Sequence, residues 1–378
     1  MTGRKALVVA GARPNFMKVA PLLRALHRRS WRAVLVHTGQ HFDEDMSDRF
    51  FADLGMAPPD HHLGVGPGSH AEQTARVMER FEPVVHAEAP DWVVVVGDVN
   101  STLAAALVAA KLRPQLGTRL AHVEAGLRSG DWRMPEEVNR VVTDQLADLL
   151  LTHSPEAAQH LAAEGVPEQR IVFAGNVMID SLFETLRTGA GASEPAWQRH
   201  GLVRGGYGLV TLHRPSNVDS PSMLAVLLEG LGAVSDTLPL IWPVHPRARA
   251  RLNGFAPPAA LRLVDPAGYR DMAQLLQGAA VVITDSGGLQ EESSALGVPC
   301  VTLRETTERP ITVSMGTNRM VPWPPTAPGI ADAVAAARKM PRRKAEIPGW
   351  DGAAAERIVD ALEQHPIDAG RCNVRSEK

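Results

Sequence analysis

Trp92-Val93-Val94-Val95-Val96-Gly97-Asp98 is apolar from Trp92 to Gly97 and then stops abruptly at a carboxylate. A strand with one wet face alternates apolar and polar residues. An unbroken apolar run suits a strand covered by helices on both faces of a parallel sheet. Working back, Lys5–Ala10 and Ala33–Val36 read as two more strands, with the stripe Val19, Leu22, Leu23, Leu26 at helical spacing between them. Ser69 and Glu72 form a capping box, predicting a helix that ends near Glu82, before Pro83. Working forward, Leu120–Val123 and Leu149–Leu151 are short strands. Between them Pro135 opens a helix with the stripe Val138, Val141, Val142, Leu146. Strands alternating with helices predict a doubly wound parallel sheet.

After a Gly/Ala/Ser-rich break at Thr188–Glu194 the pattern restarts, with strands at Gly208–Leu212, Leu240–Val244, Leu261–Val264, Val281–Thr284 and Cys300–Leu303. The fold class predicted is therefore α/β, with two doubly wound, Rossmann-like domains facing across a cleft. Residues 1–170 form the first and 171–350 the second. A last helix at 351–365 packs back on the first domain, and 366–378 is a polar tail. A chain of 378 residues suits two such cores, and 44% hydrophobic residues can fill them. Ligands of open parallel sheets bind beyond the carboxyl ends of the strands.

The charge balance, 39 basic against 42 acidic residues, gives no footprint for nucleic acid or an anionic membrane. Two cysteines, Cys300 and Cys372, make no disulfide framework. No apolar stretch approaches the roughly 18 residues of a membrane span, and Ala6–Ala10 is too short for a signal peptide. These features predict a cytoplasmic protein. No metal is expected: the histidines are scattered, no Cys-x-x-Cys occurs, and His37 and His41 straddle a strand end instead of sharing a helix face. No Gly-x-Ser-x-Gly elbow is present either.

The polar residues with chemical potential fall at or just after strand ends. Asp285-Ser286-Gly287-Gly288 follows a strand and opens a helix, where backbone N–H groups and the helix dipole favour an anion such as a diphosphate; a plain tight turn is the alternative. Glu292, one turn in, is placed for a ribose diol or simply for solvent. Gly11–Lys18 is not a dinucleotide fingerprint, since its later glycines are missing. Arg13 and Lys18 could instead neutralise a phosphate, with a solvated helix lysine as the plain alternative for Lys18. Asp98 and Glu124 end neighbouring strands, Glu136 and Glu137 open a helix, and His213 and His245 end two strands of the second half. Carboxylates beside an anionic ligand make sense if they handle protons or a developing cation. For Glu137 a dipole partner is the simpler reading.

Taken together, these segments resemble the non-hydrolysing UDP-N-acetylglucosamine 2-epimerases, which have the glycosyltransferase-B architecture. The likeness rests on GARPNFMKVAP (Gly11–Pro21), TGQH (Thr38–His41), GDVNST (Gly97–Thr102), HVEAGLRS (His122–Ser129), MPEEVNR (Met134–Arg140), GN (Gly175-Asn176), TLHRPSN (Thr211–Asn217), PVHPR (Pro243–Arg247), TDSGGLQEE (Thr284–Glu292) and RETTERP (Arg304–Pro310). The resemblance implies Asp98, Glu124, Glu136 and His213 as the catalytic set. It implies Arg13, His213, Ser286, Gly287 and Gly288 on the diphosphate and Glu292 on the ribose, with Lys18, Arg140, His245 and Arg309 as further substrate-binding residues. It implies UDP-GlcNAc and UDP-ManNAc as substrates, no cofactor, and a homodimer. A hydrolysing 2-epimerase, a glycosyltransferase of the same fold and an inactive sugar-nucleotide binder are the competing readings. Two features depart from the family pattern. Gln40-His41-Phe42-Asp43-Glu44-Asp45 lacks a second glutamine associated with activation by substrate, and the Glu124–Glu136 loop is short.

Overall fold

A computed structural model describes residues 4–40, 51, 53–189 and 194–365, without the side chains of residues 13, 246 and 247. The chain divides into two compact units, Met1–Ser181 with Pro348–Lys378, and Leu182–Ile347. The tail at 366–378 lies outside the described residues.

Among the described residues the first unit is built on seven parallel strands: β1 (Lys5–Ala10), β2 (Arg32–His37), β3 (His61–His62), β4 (Trp92–Val96), β5 (Arg119–Ala125), β6 (Leu149–Thr152) and β7 (Ile171–Phe173). Their order is β3-β2-β1-β4-β5-β6-β7. The order reverses between β1 and β4, the switch point where the crevice of a doubly wound sheet lies. The run Trp92–Val96 is buried throughout, because helices cover both its faces. β7 pairs with β6, so the first unit extends past residue 170. β3, β7 and the later Asn318–Met320 were not foreseen: two or three residues are too few to display a period.

Two helices differ from their sequence reading. The helix opened by the Ser69–Glu72 capping box continues through Pro83 to Glu88. Val77, Phe81 and Val85, four residues apart and all fully buried, hold the turns on either side of the proline. Their burial outweighs the one lost hydrogen bond. The helix Pro135–Leu146 is turned the other way round from its apolar stripe. Glu137, Asn139, Arg140, Thr143 and Asp144 face inward, while Val138 is exposed and Val141, Val142 and Leu146 are half-buried. The last helix, Ala354–Gln364, packs on the helix Arg13–Arg28. Asp180 accepts from the backbone N–H groups of Ala354 and Ala355 at its start, and Trp31 Nε1 donates to Glu363 near its end.

Among the described residues the second unit holds six parallel strands: β8 (Gly208–Thr211), β9 (Leu240–Pro243), β10 (Leu261–Val264), β11 (Val281–Thr284), β12 (Cys300–Thr302) and β13 (Asn318–Met320), in the order β10-β9-β8-β11-β12-β13. Its switch point lies between β8 and β11. Apolar residues of β8, β9, β11 and β12 alternate between two buried clusters, one on each face of the sheet. Among the described residues no helix is long and apolar enough to cross a membrane.

Candidate active site

In the first unit the polar residues gather where β1, β4 and β5 end. Asn15 ties β1 to β4: its Oδ1 accepts from the N–H groups of Gly11 and Ala12, and its Nδ2 donates to the Val96 carbonyl. β4 then leaves the sheet through Gly97, at φ +67°, and Asp98 follows. β5 ends in a bulge. Its register against β6 slips between Val123 and Ala125, and Glu124 is the inserted residue, at φ +70°. A left-handed glutamate costs of order 1–3 kcal/mol. Such bulges re-aim a side chain beside functional sites. Here the bulge sends the Glu124 carboxylate over Gly97. A Cβ placed on Gly97 would lie 3.6 Å from Glu124 Oε2 and 2.8 Å from Lys18 Nζ, and the left-handed φ itself disfavours a side chain beneath this ion pair.

Both strand-end carboxylates have a buried cation. Lys18 pairs with Glu124, each side chain 8% exposed. Lys18 is therefore not a solvated helix lysine. Arg140, 3% exposed, donates to Asp98 Oδ2 at 2.5 Å and to Glu137 Oε2 at 2.6 Å. Glu137 also accepts from the N–H groups of Ser129 and Gly130. Burial alone would raise its pKa, yet those amides and Arg140 hold it below the usual carboxylate range. Glu137 stands in the first helical turn, as its reading as a dipole partner expects, and it also anchors the loop before the helix and orients Arg140. Glu136, in the same first turn, is half-buried.

Deeper in the unit, His122 and Asp144 are wholly buried and bonded through Nδ1 and Oδ1 at 2.6 Å, with Arg128 on the other carboxylate oxygen at 2.8 Å. Sequence reasoning assigned nothing to Asp144. The signal was a polar stripe, Glu137, Arg140 and Asp144, at the same 3-and-4 spacing as the apolar one. A second buried group, Gln40, accepts at Oε1 from both the N–H and Oγ of Ser101. The stretch after it, from His41 through Asp45, lies outside the described residues, and so does the side chain of Arg13; of the His37–His41 spacing only His37, at the end of β2, is described.

The second unit gathers its polar groups beyond β8 and β11. Asp285 is fully buried and accepts from the N–H groups of His213 and Arg214, from Asn217 Nδ2 and from His213 Nδ1 at 3.0 Å. Burial opposes its ionisation, but His213, Asn217 and the Arg214 N–H keep it below the ordinary range. The sequence points to His213; its orienting partner, Asp285, has no role assigned in that reading, although it stands in the quoted motif Thr284–Glu292. The rings of His213 and His245 lie side by side, with centroids 6.1 Å apart.

Ser286 caps the helix Gly287–Leu296 without a side-chain bond, and its first turn carries no acidic residue. Ser286, Gly287 and Gly288 are partly exposed, and a Cβ on Gly287 would meet nothing within 4 Å. The N–H groups of this helix start are accordingly open to an anion. Glu292 is buried and accepts from the Tyr269 hydroxyl at 2.9 Å. Burial, reinforced by Glu291, pushes it up to about 7, against the opposing pull of Tyr269. Arg309 pairs with the buried Glu291 at 2.6 Å.

Protein comparisons agree with this arrangement. The family model described as UDP-N-acetylglucosamine 2-epimerase matches residues 24–363. The UDP-N-acetylglucosamine 2-epimerase of Methanocaldococcus jannaschii is 38% identical over 326 residues, covering 84% of this chain and 88% of that one. A UDP-2,3-diacetamido-2,3-dideoxy-D-glucuronate 2-epimerase of Pseudomonas aeruginosa is 41% identical over 323 residues, with the same coverage. The crystal structure of the M. jannaschii enzyme in complex with UDP-GlcNAc and UDP superposes with a TM-score of 0.85 at 37% identity, covering 95% of this chain and 99% of that one. A helix start open to an anion, two strand-end carboxylates each on a buried cation, and a match along nearly the whole chain converge on one assignment: the chain belongs to the UDP-N-acetylglucosamine 2-epimerase family.

Proposed function

We propose that this enzyme is an isomerase that inverts carbon 2 of UDP-GlcNAc to give UDP-ManNAc, by eliminating UDP and adding it back. The observation that carries the reading is the pair Asp98 and Glu124, two carboxylates set at adjoining strand ends over a glycine. The hydrogen on carbon 2 is barely acidic. Breaking the bond from carbon 1 to the UDP oxygen first turns the ring into an oxocarbenium-like cation, which acidifies that hydrogen. A carboxylate both steadies the cation and takes the proton, giving 2-acetamidoglucal and bound UDP. Protonation of carbon 2 from its other face, with the UDP oxygen returning to carbon 1, completes the inversion. Asp98, Glu124 and Glu136 share the proton work as a coupled set.

In this reading UDP is held by the second unit. Gly287 and Gly288 offer N–H groups and Ser286 its hydroxyl to the diphosphate, the Ser286 N–H being engaged by Thr284 Oγ1, and His213, oriented by Asp285, donates to the departing phosphate oxygen. Arg13 and His245 assist there. Glu292 accepts from the ribose hydroxyls with the oxygen that Tyr269 does not occupy. Lys18 and Arg140 act through the carboxylates they pair with, and Arg309 acts through Glu291; this departs from their sequence reading as direct substrate ligands. The identity with the P. aeruginosa enzyme makes a UDP-2,3-diacetamido-glucuronate the second substrate to assay. A homodimer is part of the proposal too. Its support is the outward stripe of the Pro135–Leu146 helix, beside Trp132 at 64% exposure.

Turnover of UDP-GlcNAc in deuterated water should yield UDP-ManNAc labelled at carbon 2. Unlabelled product would sink the elimination route, and free ManNAc as the main product would make the enzyme a hydrolase.

Glu124→Gln should lower the turnover number by roughly 10²–10⁴-fold, the span of general acid–base groups. UDP affinity, measured calorimetrically, should stay near the native value. Near-native turnover would remove Glu124 from the catalytic set.

Glu292 with a pKa of about 7 is neutral below that pH and charged above it. The ribose hydroxyls donate to the charged form, so UDP affinity should rise with pH, by up to about tenfold between pH 6 and 8. Glu292→Gln should lose that rise. An identical pH dependence in both proteins would show that Glu292 does not meet the ribose.

Light scattering should find two chains per particle, and Val138→Asp with Val141→Asp should give single chains. A native protein that is already monomeric at micromolar concentration would refute the dimer.

A further inference from the structure

Glu124 is bracketed. Two residues before it, the His122 ring bonds Asp144 Oδ1; two residues after it, the Gly126 N–H donates to Asp144 Oδ2 at 3.1 Å. One carboxylate thus grips both ends of the bulge that carries the glutamate. Gly126 is a position that no other residue can fill. It sits at φ +80°, and a Cβ on it would lie 2.3 Å from the Ala157 carbonyl oxygen. The other ring nitrogen reaches the neighbouring strand end: His122 Nε2 donates to the Gly97 carbonyl at 2.8 Å. That carbonyl and the Asp98 N–H belong to one rigid peptide plane. The Gly97 N–H, for its part, donates to the Val123 carbonyl at 3.1 Å.

We propose that the buried His122–Asp144 pair is the positioning device for both strand-end carboxylates, fixing Glu124 through the bulge and Asp98 through the Gly97 peptide. The proposal rests on the reading of Asp98 and Glu124 as acid and base groups. Neither His122 nor Asp144 is accessible to a substrate, since each side chain is fully buried. Their effect therefore passes through the backbone they hold. An arginine, an aspartate and a histidine in one dry cluster are a costly way to fill a core, and apolar residues of the same volume serve stability equally well or better. What apolar residues cannot do is fix a carbonyl and an amide of two adjoining loops relative to one carboxylate. Misplacing a reacting group by about 1 Å can cost a hundredfold in rate.

Two substitutions separate the two links. His122→Asn keeps a donor near Nδ1 for Asp144 and drops the bond to Gly97. His122→Gln reaches towards Gly97 and drops the bond to Asp144. Turnover should fall by roughly 10–100-fold in each variant, per UDP-binding site counted calorimetrically. The KM and the UDP affinity should remain within about twofold of native, because the residues assigned to UDP, Arg13 apart, belong to the second unit, and the side-chain bonds described for His122 and Asp144 run to each other, Gly97, Gly126 and Arg128. Crystal structures should show the Asp98 carboxylate displaced by about 1 Å in His122→Asn and the Glu124 carboxylate similarly displaced in His122→Gln. A merely structural cluster would lower the melting temperature and leave both the carboxylate positions and the turnover per binding site unchanged, and that result would overturn the proposal. If native protein binds UDP but converts neither UDP sugar, the epimerase reading fails. The variant structures still decide whether the pair positions these groups.

Discussion

Parallel pairing places every carboxyl-terminal strand end on one edge of a sheet, and where the strand order reverses, two adjoining loops part and leave a crevice. That constraint governs both units. In the first, the reversal lies between β1 and β4, which puts Asn15 and Lys18 after one strand and Gly97 and Asp98 after the next. β5 adjoins them and brings Glu124. In the second, the reversal lies between β8 and β11, and His213 and Asp285 meet there within hydrogen-bonding distance. Residues separated by more than 70 positions become partners because their strands are neighbours.

The first unit gathers carboxylates and must keep them charged near a hydrophobic core. Isolated buried carboxylates neutralise. Here Lys18 answers Glu124, Arg140 answers both Asp98 and Glu137, and Arg128 with His122 answers Asp144. Such pairs add little net stability. Removing one partner strands the other, at about 3–5 kcal/mol. The arrangement is therefore geometrically specific: each acid is held by a cation that reaches it from another element or another turn. The second unit solves the opposite problem. Its helix start at Ser286–Gly288 has no acidic first turn and no side-chain cap, leaving N–H groups for an anion, while its acids Asp285 and Glu291 are already committed to His213 and Arg309.

The helix Pro135–Leu146 shows how site and surface compete for one element. Its inward face carries the charged cluster, so Val138 is left exposed and Val141 and Val142 half-buried, while Leu146 at its end still reaches the core. An amphipathic period reports that a helix has two faces. It does not report which face the protein buries when the polar one has charged partners waiting.

The sequence by itself determined the fold class, because unbroken apolar runs such as Trp92–Gly97 suit strands covered on both faces, and their alternation with helical stripes calls for a parallel sheet. It also determined which residues end the strands, since glycines and carboxylates after such runs are local signals. The extent of the helix through Pro83 was not legible, because Phe81 and Val85 override the proline only once there is a core to enter. Nor was the role of Asp144, whose partners His122, Gly126 and Arg128 come from a different strand and loop. The orientation of Glu124 was equally hidden. A left-handed glutamate has no sequence signature, and it exists because Asp144 and Lys18 hold it there. Tertiary structure decided which charges meet, since that depends on distances between strand ends that no local pattern encodes.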